Sequence, residues 1–212
     1  MKRKLKQIFV RLDSFFGPQH WWPADDTLEI IVGAILTQNT NWSNVKKAIT
    51  ALKEKKLLTA KKLYHLPVRK LAGLIKSAGY YNIKAARLKN FLKFFFCEYA
   101  GKIKSMAARD LTALRRQLLA VNGIGPETAD SILLYALNKP VFVIDAYTKR
   151  ILSRHKLIKE EADYAQIQNI FMDHFKKDVK LFSQYHALLV KLGKDYCRKN
   201  NPKCEICPLH GQ

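Results

Sequence analysis

Residues 28–37, LEIIVGAILT, present apolar side chains on every side of a helix and end at the polar run TQNTN. A helix with no face to give to water belongs at the centre of a core that other elements build around it, and its exit loop is held rigidly as a result. Asn41 can cap the helix that follows, whose Val45, Ala48, Ile49 and Leu52 form one stripe while Lys46, Lys47 and Lys53 face water. A lysine-rich connection comes next. The same 3.6-residue period predicts helices at about 68–77, 84–99, 108–120, 126–137, 146–155, 163–175 and 179–196. The only strand-like run, VFVI at 141–144, is short and has no partner. The expected fold class is all-α.

The chain has 38 Lys+Arg against 17 Asp+Glu, a formal charge of +21 over 212 residues. That excess points to an anionic partner. Basic residues such as Lys84, Arg87 and Lys93 alternate with Leu88, Phe91, Leu92 and Phe95 at helical spacing, so they are expected to decorate folded helices. Nucleic acid is favoured over a membrane surface. No apolar run reaches the roughly 18 residues that span a bilayer, and the start MKRKLKQIFVRLDSFFG lacks the apolar core of a secretory signal. A cytoplasmic, monomeric protein associated with the nucleoid through DNA is the expectation. Three of the four cysteines fall at 197, 204 and 207, which suggests metal more than a disulfide scaffold.

The residues that carry chemistry begin in VNGIGPETADSILLYALNKPVFVIDAYTKR, residues 121–150. Gly123 and Gly125 permit a sharp turn that can approach an external group, with Ile124 plugging it. Pro126 suits the first position of the next helix, whose N-terminal N–H groups attract phosphate. Leu118, Leu119 and Val121 would pack against Ile132, Leu133 and Leu137. Asp145 precedes the stripe of Tyr147, Ile151 and Leu152, where a helix N-cap belongs. Glu127, in a first helical turn, complements the helix dipole.

This segment resembles the helix-hairpin-helix plus aspartate motif of the base-excision DNA glycosylases related to endonuclease III. The resemblance implies a two-lobed helical fold, with residues 28–137 as one lobe carrying the hairpin (about 111–137). Residues 1–27 with 138–212 form the other, and a substrate cleft is expected between the lobes. It implies phosphate contacts from Gly123, Ile124, Gly125 and Thr128, and a catalytic Asp145 that stabilises positive charge on the sugar or orients water. Bifunctional members carry a lysine where this chain has Glu127, and a glutamate cannot form their Schiff base. Lys84, Lys139 and Lys149 are possible substitutes, but each is expected to meet phosphate or solvent. A monofunctional DNA N-glycosylase follows, acting on double-stranded DNA with a damaged base.

Two further clusters refine that reading. QHWWPADD at 19–26 with LTQNTNW at 36–42 is similar to the bacterial 3-methyladenine glycosylases of the same superfamily. That similarity implies alkylated purines held by Trp21, Trp22 and Pro23, a gap in the duplex filled by Gln38, and a wedge in the opposite strand from Tyr80. Ordinary packing is the plainer role for the tryptophans. Cys197-x6-Cys204-x2-Cys207 resembles the family's [4Fe–4S] loop, whose fourth cysteine would be residue 213 here. A cluster on a chain cut one residue short, zinc completed by His210, and no metal at all are the three alternatives. His20, His65, His155, His174 and His186 are expected to be surface or packing residues, and Cys97 a core thiol. The rival readings are a bifunctional oxidised-pyrimidine glycosylase and abasic-site lyase, a non-catalytic helix-hairpin-helix DNA-binding protein and, more remotely, a mismatch adenine glycosylase.

Overall fold

The structure, a computed structural model, describes residues 1–211. Every regular element among them is helical, and the chain divides into two compact units, Met1–Pro23 with the segment from Lys139 onward, and Ala24–Asn138.

The first helix, α1 (Lys2–Phe16), belongs to the former unit; α2 (Thr27–Leu36), α3 (Trp42–Glu54), α4 (Ala60–His65), α5 (Val68–Leu74), α6 (Tyr81–Tyr99), α7 (Ile103–Ala107), α8 (Leu111–Ala120) and α9 (Pro126–Ser131) build the latter. The first unit is completed by α10 (Ala146–Arg154), α11 (Tyr164–His174) and α12 (Val179–Asp195). A 3-10 turn, Lys76–Ala78, precedes α6, and a π-helical segment, Ile132–Ala136, extends α9. Three helices, α1, α4 and α7, fall where periodicity predicted none. The latter two are short, and α4 is started by Thr59, which accepts from the Lys62 N–H.

In the 24–138 unit α2 is the central element. Its residues 31–36 are buried, and it packs on α3, α6, α9 and the π segment. Asp26 caps its start by accepting from the Glu29 N–H at 2.8 Å. Glu29, its one acid, is buried and neutralised by Lys53 at 2.7 Å. The hairpin helices α8 and α9 are clamped by Arg115, whose Nε and Nη2 donate to the fully buried Asp130 carboxylate at 2.7 and 3.0 Å. Leu118, Val121, Ile124, Ile132, Leu133 and Leu137 are buried, whereas Leu119 lies on the outer face, 36% exposed. Cys97 is exposed too, on the outer side of α6, so it is not the core thiol that its Phe-rich neighbourhood suggested.

In the other unit α12 is the hub, packing against α1 and α10. Tyr185 donates to the Leu5 carbonyl at 2.8 Å, and Gln184 ties Asp13 and the Gly17 carbonyl. Gly193 lets α10 approach closely, since a Cβ there would stand 2.6 Å from that of Tyr147. Residues 141–144 are buried but form no strand. Two of their backbone groups find side chains, with Gln168 donating to the Phe142 carbonyl (2.6 Å) and the Ile144 N–H donating to the Tyr164 hydroxyl (3.3 Å), while the Val141 N–H donates to the Lys139 carbonyl (2.8 Å). Phe142 stacks on Phe171 with centroids 3.7 Å apart, and this segment thereby fixes the start of α10.

Candidate active site

The hairpin turn is built around Gly123, at φ +92, a region that L side chains rarely adopt. It is also a point of close approach, because a Cβ would meet Arg87 Cγ at 2.2 Å. Gly125 is exposed and extended as the N-cap of α9, and Pro126 occupies the first turn with Glu127 beside it, exposed. Ile124 is 4% exposed and seals the turn from beneath. Thr128 is buried; its hydroxyl accepts from Gln38 Nε2 at 2.9 Å, so it is turned inward and not toward an external phosphate.

Gln38 is engaged through its whole amide. Nε2 also donates to the Gly123 carbonyl at 3.0 Å, and Oε1 accepts from Arg87 Nη1. The exit loop of α2, the middle of α6 and the hairpin thus meet at one side chain. Arg87 carries no individual signal in the sequence beyond being one of many cations, and Lys84 stands out there only as a possible substitute for a nucleophilic lysine. Lys84, expected to meet phosphate or solvent, is 1% exposed and donates to the carbonyls of Leu36 (2.8 Å) and Ala78 (2.6 Å). Burial, with a smaller contribution from the Arg87 charge, pulls its pKa down to about 8. Tyr80 stands at the opposite extreme, 69% exposed and in the left-handed region at φ 45, with Ile83 exposed one turn further on.

In the other unit Asp145 begins α10. Its Oδ1 accepts from the Thr148 N–H at 2.7 Å, the capping contact that the sequence predicts, while Oδ2 lies 3.6 Å from His186 Nε2. The carboxylate is 11% exposed and the imidazole 7%. Burial opposes ionisation of Asp145, but His186 and then the N–H and hydroxyl of Thr148 outweigh it and hold the carboxyl below the usual range. His186 was expected to be a packing residue. Its place on the buried stripe Phe182, Tyr185, Leu189 of α12 is the signal that could have set it apart, since a histidine inside a core needs a partner. Lys149 donates to the Ala162 carbonyl at 2.9 Å.

Trp21 and Trp22 are half-buried and meet edge to face with centroids 6.2 Å apart, followed by an exposed Pro23. The Trp21 indole N–H is shielded from solvent and has no acceptor among the described residues. The cysteine loop is stitched to α10 by Arg150 and Arg154, which donate to the carbonyls of Cys197, Arg198 and Lys199, with Arg154 Nη1 also 3.4 Å from Cys197 Sγ. Cys197 is buried, Cys204 exposed and Cys207 between the two. Burial pushes the Cys207 thiol up against the stabilising Leu209 N–H, and the neighbouring Cys197 and Cys204 add to the rise. Among the described residues no three His, Cys, Asp or Glu side chains converge as a ligating group. His210 does not complete a Cys3His site here, its Nδ1 lying 3.0 Å from the Cys204 carbonyl oxygen.

A glycine hairpin between two helices, followed by a capped and buried aspartate, defines a class of DNA repair proteins. Residues 32–177 match the family described as HhH-GPD superfamily base excision DNA repair protein, and the chain belongs to that family. Among its relatives is a Methanocaldococcus jannaschii protein whose name gives DNA repair glycosylase as an inferred activity, 48% identical over 96% of this chain and 92% of its own length. Endonuclease III of Sulfolobus acidocaldarius is 29% identical over 84% of this chain and 78% of its own. Of solved structures, the H. pylori 3-methyladenine DNA glycosylase (MagIII) bound to 1,N6-ethenoadenine superposes with a TM-score of 0.78 at 28% identity, covering 90% of this chain and 97% of that one. A non-covalent endonuclease III–DNA complex shares the fold with a TM-score of 0.85 at 20% identity, over 98% and 92% of the two chains.

Proposed function

We propose that this base excision DNA glycosylase is monofunctional and hydrolyses the N-glycosidic bond of alkylated purines such as 3-methyladenine, with Asp145 as the essential carboxylate. The observation that carries the reading is the state of Asp145: buried, yet held ionised by His186 and Thr148. A fixed negative charge in a shielded place is what an oxocarbenium-like sugar requires as its base departs. One oxygen is occupied by capping and the other faces His186, so α10 and α12 orient the group together.

Hydrolysis is favoured over imine formation by Glu127 and by two of the three candidate lysines, which are engaged elsewhere; the third, Lys139, is half-buried at the start of the segment leading to Asp145. Glu127 stands at the hairpin position of the family's nucleophile. A lysine with a pKa near 8 suits Schiff-base chemistry, but Lys84 is 1% exposed and holds two carbonyls, and Lys149 is tied to Ala162. Trp21 and Trp22 offer aromatic faces, attractive to a cationic alkylated base, and the Trp21 N–H offers a donor. The glycosylase of H. pylori that binds 1,N6-ethenoadenine supports the same substrate class. The exposed Gly125 would meet the DNA backbone with the turn of Gly123 and Ile124; Gln38 would fill the gap left by the extruded base and Tyr80 would wedge into the opposite strand.

Cys197, Cys204 and Cys207 would supply three thiolates to a [4Fe–4S] cluster, with Arg154 placing an N–H at the Cys197 sulfur; in this structure the three do not converge. The cluster's role would be structural, ordering a loop rich in Arg198, Lys199 and Lys203. Iron and sulfide content of purified protein tests this assignment, and apoprotein that keeps a protease-resistant C-terminal loop would count against it.

Free bases released from methylated DNA, separated chromatographically beside DNA carrying an oxidised pyrimidine, test the main reading. Release of 3-methyladenine and no covalent adduct on borohydride treatment with abasic DNA are expected. A trapped adduct would overturn the monofunctional mechanism, and release of the pyrimidine alone would overturn the substrate class.

A further inference from the structure

Of three cations that helix α6 (Tyr81–Tyr99) directs at other elements, Lys89 holds the end of α4, and Lys84 and Arg87 hold the segments around Gln38 and Tyr80. The Lys84 ammonium bonds the carbonyl of Leu36, the last residue of α2, and that of Ala78, the last of the 3-10 turn. Both are carbonyls that a helix end leaves without an internal partner. Each stands two residues before a residue assigned to DNA: Leu36 before Gln38, and Ala78 before Tyr80. The Lys84 N–H closes the arrangement by donating to the Tyr80 carbonyl at 2.9 Å. One turn further along α6, Arg87 bonds the Gln38 side chain itself. An apolar residue would fill the volume of Lys84 without the cost of burying a charge, but it could not bind two carbonyls from two loops.

We infer that Lys84 is a positioning residue for DNA opening, fixing the separation of the loops that present Gln38 and Tyr80 so that the gap filler and the wedge enter the duplex together. This rests on the proposed roles of those two residues. Lys84 touches neither the base nor the sugar. Its contribution belongs to the step in which the duplex is opened and not to bond cleavage.

Lys84→Met keeps the apolar stem and removes the donors. The readout is 2-aminopurine fluorescence opposite an abasic site, with binding to abasic and undamaged duplexes measured in parallel. The variant is expected to lose the fluorescence change and about tenfold of its preference for abasic DNA, some 1.4 kcal/mol, while affinity for undamaged duplex is retained. Introduced into Tyr80→Ala, the same change should cost much less, because the residue through which it acts is gone. Unchanged fluorescence in Lys84→Met, or an equal loss with and without Tyr80, would overturn the proposal. Folding is checked by circular dichroism, and the wild-type fold supplies a second test. In 15N-lysine-labelled protein carrying Lys89→Arg, which removes the other α6 ammonium held by main-chain carbonyls (those of Leu63, Tyr64 and Leu66), a slowly exchanging ammonium signal should appear and shift on binding abasic duplex; its absence would sink the idea. If Gln38→Ala and Tyr80→Ala themselves leave the fluorescence unchanged, the penetrating roles fail and this inference with them. If they abolish it and Lys84→Met does not, Lys84 alone is wrongly placed.

Discussion

Asp145 and His186 form the most consequential pair in the chain, because each explains the other's burial. A carboxyl whose folded pKa lies below its ordinary value of 3.8 adds stability that is present above that value and lost as pH falls through the folded pKa. Removing the imidazole leaves the desolvation and takes away the largest stabiliser of the charge. His186→Leu should therefore raise the Asp145 pKa and move the acid limb of the kcat/KM profile to higher pH. An acid limb that stays in place would mean that Asp145 is not the titrating group. Asp145→Asn should abolish base release and leave DNA affinity within about twofold, since an asparagine still caps α10. Glycosylase assays beside equilibrium binding separate the two effects. Lys84 carries linkage of the same sign in a higher window, although there burial disfavours the charged form. Its pKa falls from 10.5 to about 8, so between those values the unfolded chain binds more protons and folding becomes more favourable as pH rises. The stability difference between wild type and Lys84→Met should grow in favour of wild type from pH 8 to 10.5, as read by denaturant titration.

At the scale of elements, the hairpin is held by contacts that come from outside it. Gly123 must be glycine for its φ of +92 and for Arg87, whose Cγ and Cβ would stand 2.2 and 3.0 Å from an added Cβ. The obstruction includes the root of the Arg87 side chain, so a rotamer change does not relieve it. Gly123→Ala should cost about 1–3 kcal/mol from the backbone alone, and displacement of Arg87 should free Gln38 as well. Chemical denaturation measures the first, and hydrogen exchange in the 121–128 turn detects the second. The same contacts explain what could be read from sequence. The positions of α2, α3, α6, α8, α10 and α12 follow from apolar period and capping residues, and Asn41 and Asp145 cap as their places imply. α4 and α7 span too few turns for a period to register, and in α1 the apolar stripe is diluted by basic residues. Side-chain partners over long separations left no trace. Lys84 read as one of 38 cations, yet its acceptors are main-chain carbonyls, which every residue possesses. His186 differs, because a polar ring on the buried stripe of α12 was visible without coordinates.

For the molecule as a whole, the charge of +21 and the few side chains proposed to enter the duplex should make separable contributions. Lysine and arginine that neutralise phosphates release counterions, so log K should fall linearly with log salt, with a slope of about −0.9 per phosphate contacted. For about six contacts, affinity would drop about a thousandfold between 50 and 200 mM salt. Tyr80 brings no charge. In the role proposed for it the exposed ring would act by stacking and wedging, so Tyr80→Ala should leave that slope unchanged while removing most of the preference for an abasic site. Removing a phosphate-binding cation should do the reverse, reducing the slope by about one and lowering affinity evenly across sequences. Fluorescence anisotropy at a series of salt concentrations, on matched and abasic duplexes, resolves both. A flat salt dependence would remove the electrostatic basis for DNA binding. If Tyr80→Ala changed the slope, the tyrosine would be acting on the placement of cations and not as a wedge.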